Sequence, residues 1–219
     1  PITVNDNRAA ISHRFEALGV NARGQITLAW LDKRDASAAE QRGGKYTGLA
    51  VYYAQSDDNG RSFGANRTAA DHSCECCRVA MAMDPSDTPV IVWRHVYGKN
   101  VRDHAVLRLD GTSQPQRVAH DNWEIDACPH GPALSLAADG TCHGAWFTGA
   151  ATRPGLFYAR STDAGQNFSA PLAFGNAQAQ AGRPQVLSLG DNVSLAWKEL
   201  GGRNAMLRVQ RSQDGGRSW

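Results

Sequence analysis

At 219 residues, with 42% hydrophobic and 20% charged residues, the chain is long enough to bury a proper core, as one large domain or two small ones. Its 23 basic and 21 acidic residues leave a net charge of +2 and form no run of Lys or Arg, which argues against a nucleic-acid partner. No apolar stretch approaches the length that crosses a bilayer, and 22 glycines with few helix-period segments favour β structure.

The chain opens at Pro1 rather than at a methionine, so a removed leader, and with it a periplasmic or secreted location, is the expectation. The first strand signal runs from Phe15 to Val20. A turn at Asn21 to Gly24 leads into a second run, Ile26 to Leu31, that carries Trp30. After a loop comes a third apolar run, Leu49 to Ala54, then Ser56-Asp57-Asp58-Asn59-Gly60-Arg61-Ser62-Phe63. The same order returns from Val79 to Met83, through the turn Asp84 to Asp87, into Val90 to Trp93. It returns again from Ala133 to Ala137, through Ala138 to Gly140, into His143 to Phe147, and from Val186 to Leu189, through Gly190 to Asn192, into Val193 to Trp197. The four tryptophans are 63, 53 and 51 residues apart.

The pattern Ser-x-Asp-x-Gly-x-x-aromatic recurs at Ser161 to Phe168 and Ser212 to Trp219. Ser and Asp bond the backbone of the turn they sit in, Gly supplies the positive φ, and the aromatic folds back onto the apolar layer. The second unit carries Arg108-Leu109-Asp110-Gly111-Thr112-Ser113 at the corresponding place. Four-stranded units of about 50 residues with a recurrent turn are the signature of β-propeller blades. The expectation is an all-β chain, a single propeller domain over 1–219, with blades at about 13–72, 73–127, 128–181 and 182–219. The last of these is incomplete, and six blades are expected in the whole. A β-sandwich with coincidental turns is the alternative.

The three Ser-x-Asp-x-Gly-x-x-Phe/Trp turns resemble the Asp-box, or bacterial neuraminidase repeat, of the sialidase superfamily. The resemblance covers essentially the whole chain. It implies a structural role for Asp58, Gly60, Asp163, Gly165, Asp214 and Gly216, on the propeller edge opposite the active face. His13-Arg14-Phe15-Glu16-Ala17-Leu18 is similar to the family's Phe-Arg-Ile-Pro segment, which implies that Arg14 binds a substrate carboxylate, although no proline follows it. Leu31-Asp32-Lys33-Arg34 is similar to the family's Asp-x-Arg, which brings in Arg34. The loop from Asp35 to Lys45 matches the region of the acid/base Asp, with Asp35 and Glu40 as the available carboxylates. The family's Tyr nucleophile and its partnering Glu fall in blades outside these four units.

In a propeller the residues just before each innermost strand converge on the axis. Here they are His13-Arg14, Cys76-Cys77-Arg78, Cys128-Pro129-His130 and Gly182-Arg183-Pro184. Arg14, Arg78 and Arg183 would form an anion-binding centre, since guanidinium binds carboxylate bidentately. Pairing with acids such as Glu16, Glu124 or Asp126 is the alternative.

Five cysteines are an odd number, so not all of them pair within the chain. In His72-Ser73-Cys74-Glu75-Cys76-Cys77-Arg78, the thiols together with Cys128, His72 and His130 offer soft ligands for zinc or copper. A disulfide staple from Cys74 or Cys76 to Cys128 is the other reading, and Cys142 reads as packing. The stretch Trp93 to Tyr97 with Arg102-Asp103-His104 reads as an inter-strand loop in which His95 and His104 serve as ligands or acid/base groups, or have no role.

Two functions remain open. One is a sialidase-like exo-glycosidase or glycan-binding propeller acting on a carbohydrate or other anionic small molecule through its arginines. The other is a non-hydrolytic periplasmic propeller with a Cys/His metal or redox site, or a structural interaction propeller.

Overall fold

A computed structural model describes residues 1–125 and 130–219. Among them the regular structure is almost entirely antiparallel β-sheet, arranged as successive meanders. β1 (His13–Val20), β2 (Ile26–Asp32), β3 (Leu49–Ser56) and β4 (Arg67–Ser73) form the first, with α1 (Arg34–Gln41) between β2 and β3. β5 (Ala80–Met83), β6 (Pro89–Tyr97), β7 (Val101–Arg108) and β8 (Gln116–Arg117) form the second. β9 (Ala133–Leu136), β10 (Cys142–Thr148), β11 (Gly155–Ser161) and β12 (Leu172–Phe174) form the third, and β13 (Gly182–Leu189), β14 (Asn192–Gly201) and β15 (Asn204–Ser212) a three-stranded fourth. The first two sheets are joined by a single bridged pair, Ser73 with His95.

The meanders stack face to face, and their first strands lie side by side, β1 on β5, β5 on β9 and β9 on β13. The period-2 alternation of each middle strand explains the stacking, because one set of side chains faces the preceding sheet and the other the following one. Ile91 and Trp93 of β6 pack on Ala29, Leu31, Val51 and Tyr53 of the first meander. Their neighbours Val90 and Val92 pack on Trp146 and Phe157 of the third. Trp197 and Leu195 in turn pack on Tyr158 and Leu156. Trp93 and Trp146 are fully buried, and replacing such a side chain by Ala costs about 3–5 kcal/mol.

The Ser-Asp-Gly turns repeat one hydrogen-bond pattern. Ser56 Oγ donates to Asp58 Oδ1 at 2.8 Å and accepts from Gly60 N at 2.9 Å, while Asp58 accepts from Ser62 N at 2.9 Å and Ser62 Oγ at 2.6 Å. Ser161, Asp163 and Asn167 repeat it, as do Ser212, Asp214 and Ser218. The bonds to Asn167 and Ser161 hold the Asp163 carboxyl down at about 2. Each aromatic enters a core, with Phe63 beside Trp30, Phe168 beside Trp146, and Trp219 edge-on to Tyr158 with centroids 4.9 Å apart. Asp110 of the second meander builds a shorter version, accepting from Thr112 N at 2.9 Å and Ser113 N at 2.7 Å.

Two expected loops are regular structure. Residues 34–41 of the loop after β2 form α1, consistent with its good helix formers Ala36, Ala38, Ala39, Glu40 and Gln41. The stretch containing His95 and His104 is the β6–β7 hairpin, in which Arg94 faces His104 and His95 faces Asp103 across the ladder. Its turn is Gly98-Lys99-Asn100, with positive φ at Lys99 and Asn100.

Candidate functional site

The inner-strand ends are built on bulges. β1 shifts register between Arg14 and Ala17, and β13 between Gly182 and Gln185. Ala17, Ala80, Ala133 and Gln185 pair with the residues preceding the four tryptophans, so they occupy equivalent positions. Two residues before them stand Phe15, Arg78, Gly131 and Arg183, and three before them Arg14, Cys77, His130 and Gly182. Phe15 and Arg183 share a left-handed backbone, φ 60° and 56°, the conformation by which a bulge re-aims a side chain. Phe15 and Arg183 are therefore equivalent, with Arg14 just before its bulge and Arg78 two residues before β5.

These ends touch one another. Arg14 and Arg78 both lie over the Phe15 ring, each 5.9 Å from its centroid. A Cβ on Gly131 would meet Arg78 Cβ at 3.0 Å, and one on Gly182 would meet His130 Cε1 at 2.8 Å, so these ends lie in close contact at their glycines. Arg14, Arg78 and Arg183 are exposed, and among the described residues none is in an ion pair. Glu16 and Glu124 thus do not neutralise them, and Asp126 lies outside the described residues. Arg14 Nε donates to Ser12 Oγ at 2.7 Å.

Beside Arg183 a cleft of about 460 Å³ opens between the third and fourth meanders, in the size range of ligand pockets. Phe147, Leu200, Ala177 and Ala181 give it apolar walls, while Arg183 and Lys198 bring positive charge and Gln180 an amide. His130 lines it too, its ring tilted on Phe147 with centroids 4.5 Å apart. Burial, then the charges of Arg183 and Arg94, push the His130 pKa down, so at neutral pH the ring is an uncharged imidazole. Phe147 and Lys198 carried no sequence signal beyond strand alternation, and Gln180, in the loop before β13, carried none.

The first meander holds a network around Asp32, which is fully buried. It accepts from Trp30 Nε1 at 2.9 Å and from Arg34 Nη2 at 2.9 Å, and its other partner is His13 Nδ1 at 3.0 Å. Burial works to raise its pKa, but these bonds overcome it and hold the carboxyl below its usual range. Arg34 also donates to Asp6 at 2.7 Å and Asn66 at 3.1 Å, and lies 4.1 Å over the Tyr52 ring, so both terminal nitrogens are committed within the fold. Asp35, half-buried on α1, accepts from the Tyr52 hydroxyl at 3.0 Å. Glu40 is exposed, 3.8 Å from Lys33 Nζ.

The Trp–acid pairing recurs as Trp146 with Asp121, 2.7 Å, and Trp197 with Glu199, 2.7 Å, each acid also held by an arginine, Arg153 or Arg208. Trp30 and Trp197 each find their acid two residues on, a Trp-x-acid spacing, whereas Asp121 lies 25 residues before Trp146 and left no motif.

The cysteine segment brings Cys74, Cys76 and Cys77 together, with all three sulfurs within 4.8 Å of one another. His72 is not among them; it is exposed, its Nδ1 3.1 Å from the Thr47 carbonyl, and 6.1 Å from the His95 ring. Nor is His130, which lines the cleft. Cys128 lies outside the described residues. Cys74 is pulled down to about 5, first by its bond from Cys77 and further by Cys76 and Arg102, against a burial that works the other way. Cys142 is a buried thiol pushed up to about 12 by burial. His104 is buried on both ring nitrogens and kept neutral, its pKa far below the usual value, and His95 is lowered to about 4 by burial.

Meanders stacked on their first strands are a fold that this chain shares with solved sialidases, an arabinanase and a polysaccharide lyase. A Hadza microbial sialidase aligns with 94% of the chain at a TM-score of 0.61 and 17% identity, the chain covering 45% of it. An α-L-arabinanase from Penicillium chrysogenum aligns with 92% at 0.59 and 13% identity, with 63% of it covered. An ulvan lyase, a polysaccharide lyase, aligns with 93% at 0.58 and 13% identity, with 53% covered. The chain spans about half the length of the solved structures it matches. At these identities the likeness is one of fold. No protein-family model and no curated protein matches the sequence.

Proposed function

We propose that the chain supplies blades of a sialidase-like propeller that recognises the carboxylate of an acidic sugar. The observation that carries this reading is the set of exposed arginines, Arg14, Arg78 and Arg183, on touching strand ends with no ion pair among the described residues, beside a cleft with an apolar wall. Arginines elsewhere in the fold, such as Arg34, Arg117 and Arg153, spend their charge on buried acids. An unpaired guanidinium keeps its fork for a ligand carboxylate, and the apolar wall takes the face of a sugar ring.

The activity that fits is exo-glycosidic hydrolysis through an oxocarbenium-like transition state. Asp35 is the better placed acid/base group, half-buried against Tyr52, whereas Glu40 is exposed beside Lys33. Incubating the full-length protein with aryl glycosides of sialic and glucuronic acid tests this. Release of the aryl alcohol, reduced at least about a hundredfold by Asp35→Asn, is expected for a general acid. No release from any acidic glycoside leaves only the second reading, binding without cleavage, which the engagement of Asp35 by Tyr52 favours.

We also propose that two further blades pack on the open faces of the stack. The support is the exposed apolar residues Leu18 and Val20 on β1, and Leu187, Leu189, Leu207 and Val209 on β13 and β15.

A further inference from the structure

The thiols are not explained by sugar recognition. They sit where the second meander starts, and the fold fixes them from several sides. Cys74 N donates to the Arg94 carbonyl on β6 at 2.8 Å. Its sulfur lies 3.3 Å from that of Cys76 and 3.7 Å from that of Cys77. Both distances are far beyond the roughly 2.05 Å of a sulfur–sulfur bond, so neither neighbour is its covalent partner. Val96, Trp123 and Ile125 wall the group with apolar surface, Cys74 and Cys77 are buried, and Cys76 opens one side to solvent.

Bound to a metal as thiolates, Cys74, Cys76 and Cys77 would need positive charge close by, since two of them are buried. One is supplied by Arg102 on β7, whose Nη1 donates to Cys74 Sγ at 3.2 Å. Its Nε and Nη2 are held by Asn100 Oδ1 at 3.0 and 2.8 Å, which fixes the guanidinium in that direction. The remaining charge is what a metal ion brings. With metal–sulfur bonds of about 2.3 Å, three sulfurs around one ion stand about 4 Å apart, which the cluster reaches by small side-chain adjustments.

We propose that Cys74, Cys76 and Cys77 form a three-thiolate site for a soft closed-shell metal ion, Cu(I) or Zn(II), oriented by Arg102. Soft thiolate donors select these ions over hard cations. His72 is turned to Thr47 and takes no part, so the donor set is narrower than the Cys/His set expected from sequence.

The test uses the full-length protein, reduced and handled without oxygen. It is offered either Cu(I) or Zn(II), each buffered by a colorimetric chelator. One ion per chain held against the chelator is expected, with near-ultraviolet thiolate-to-metal absorption for copper, and the ion retained separates the two sources. Each of Cys74→Ser, Cys76→Ser and Cys77→Ser is expected to weaken retention at least tenfold, and Arg102→Gln by about 10–100-fold, as for groups that orient ligands. Cys142→Ser, a thiol outside the group, should leave it unchanged. Thermal melts check folding, and the half-buried Cys76→Ser carries the comparison should the buried variants not fold. Retention of neither ion, retention that survives Cys76→Ser, or Cys74 found in a disulfide in unreduced protein would each overturn the proposal.

Discussion

Burial of histidine gives the chain its most direct pH signature. His143 is fully buried with its Nδ1 2.7 Å from the Tyr158 hydroxyl, and burial lowers it to about 4; His95 is likewise lowered to about 4, and His104 well below its usual value. A base whose folded pKa is depressed stays neutral in the native state while its unfolded form takes up a proton below about 6.5. The unfolded state then binds more protons, so stability falls as pH drops from about 6.5 towards 4, by about 1.4 kcal/mol per pH unit for each such histidine. Urea unfolding across that window is expected to show the loss, and His143→Asn, which retains a partner for Tyr158, to reduce the slope by about one proton. A flat stability profile from pH 6.5 to 4 would contradict the burial of these rings as uncharged bases.

At the scale of the element, the Ser-Asp-Gly turns of the third and fourth meanders seat on the preceding sheet, Gly165 by Val106 and Gly216 by Tyr158. Gly60, Gly165 and Gly216 all have positive φ, between 77° and 85°, but their surroundings differ. A Cβ on Gly216 would fall 1.9 Å from the Tyr158 hydroxyl of the preceding meander, whereas one on Gly60 meets only the tip of Ile26 at 3.2 Å. Gly60→Ala is therefore expected to cost about 1–2 kcal/mol from backbone strain alone. Gly216→Ala adds overpacking and is expected to cost roughly 2–5 kcal/mol. Equal losses in denaturant titrations would show that the turn does not seat on the neighbouring sheet.

These turns, the hairpin preceding each tryptophan and the tryptophan strands were legible in the sequence because they repeat, and repetition separates signal from chance. What was not legible depends on tertiary pairing. Arg94 and Asp103 are wholly buried, and charged residues read as loop until their partners are known: the Arg102 and Phe147 carbonyls for Arg94, Arg117 for Asp103. The candidate site was half legible. Arg14, Arg78 and Arg183 could be placed at strand entrances, but a bulge decides which of them share a level, and bulges leave no sequence trace. Lys198 stands beside Arg183 across the β13–β14 ladder, whereas Phe147 joins them only because two meanders meet.

For the whole molecule, the stack leaves apolar surface uncovered where further blades are proposed to pack, with Leu207 87% and Leu189 80% exposed. If a further sheet covers β15 in the full-length protein, Leu207→Asp is expected to lower its melting temperature by several degrees, as burial of an unpaired carboxylate does. An unchanged melt would mean that this face meets water. The central claim is carboxylate recognition at the strand ends, and calorimetric titration of the full-length protein with N-acetylneuraminic acid and with its methyl ester tests it most directly. The acid is expected to bind and the ester to bind at least tenfold more weakly, with Arg183→Ala and Arg78→Ala each removing most of that preference. Equal affinity for acid and ester, or a preference that survives both substitutions, would contradict it.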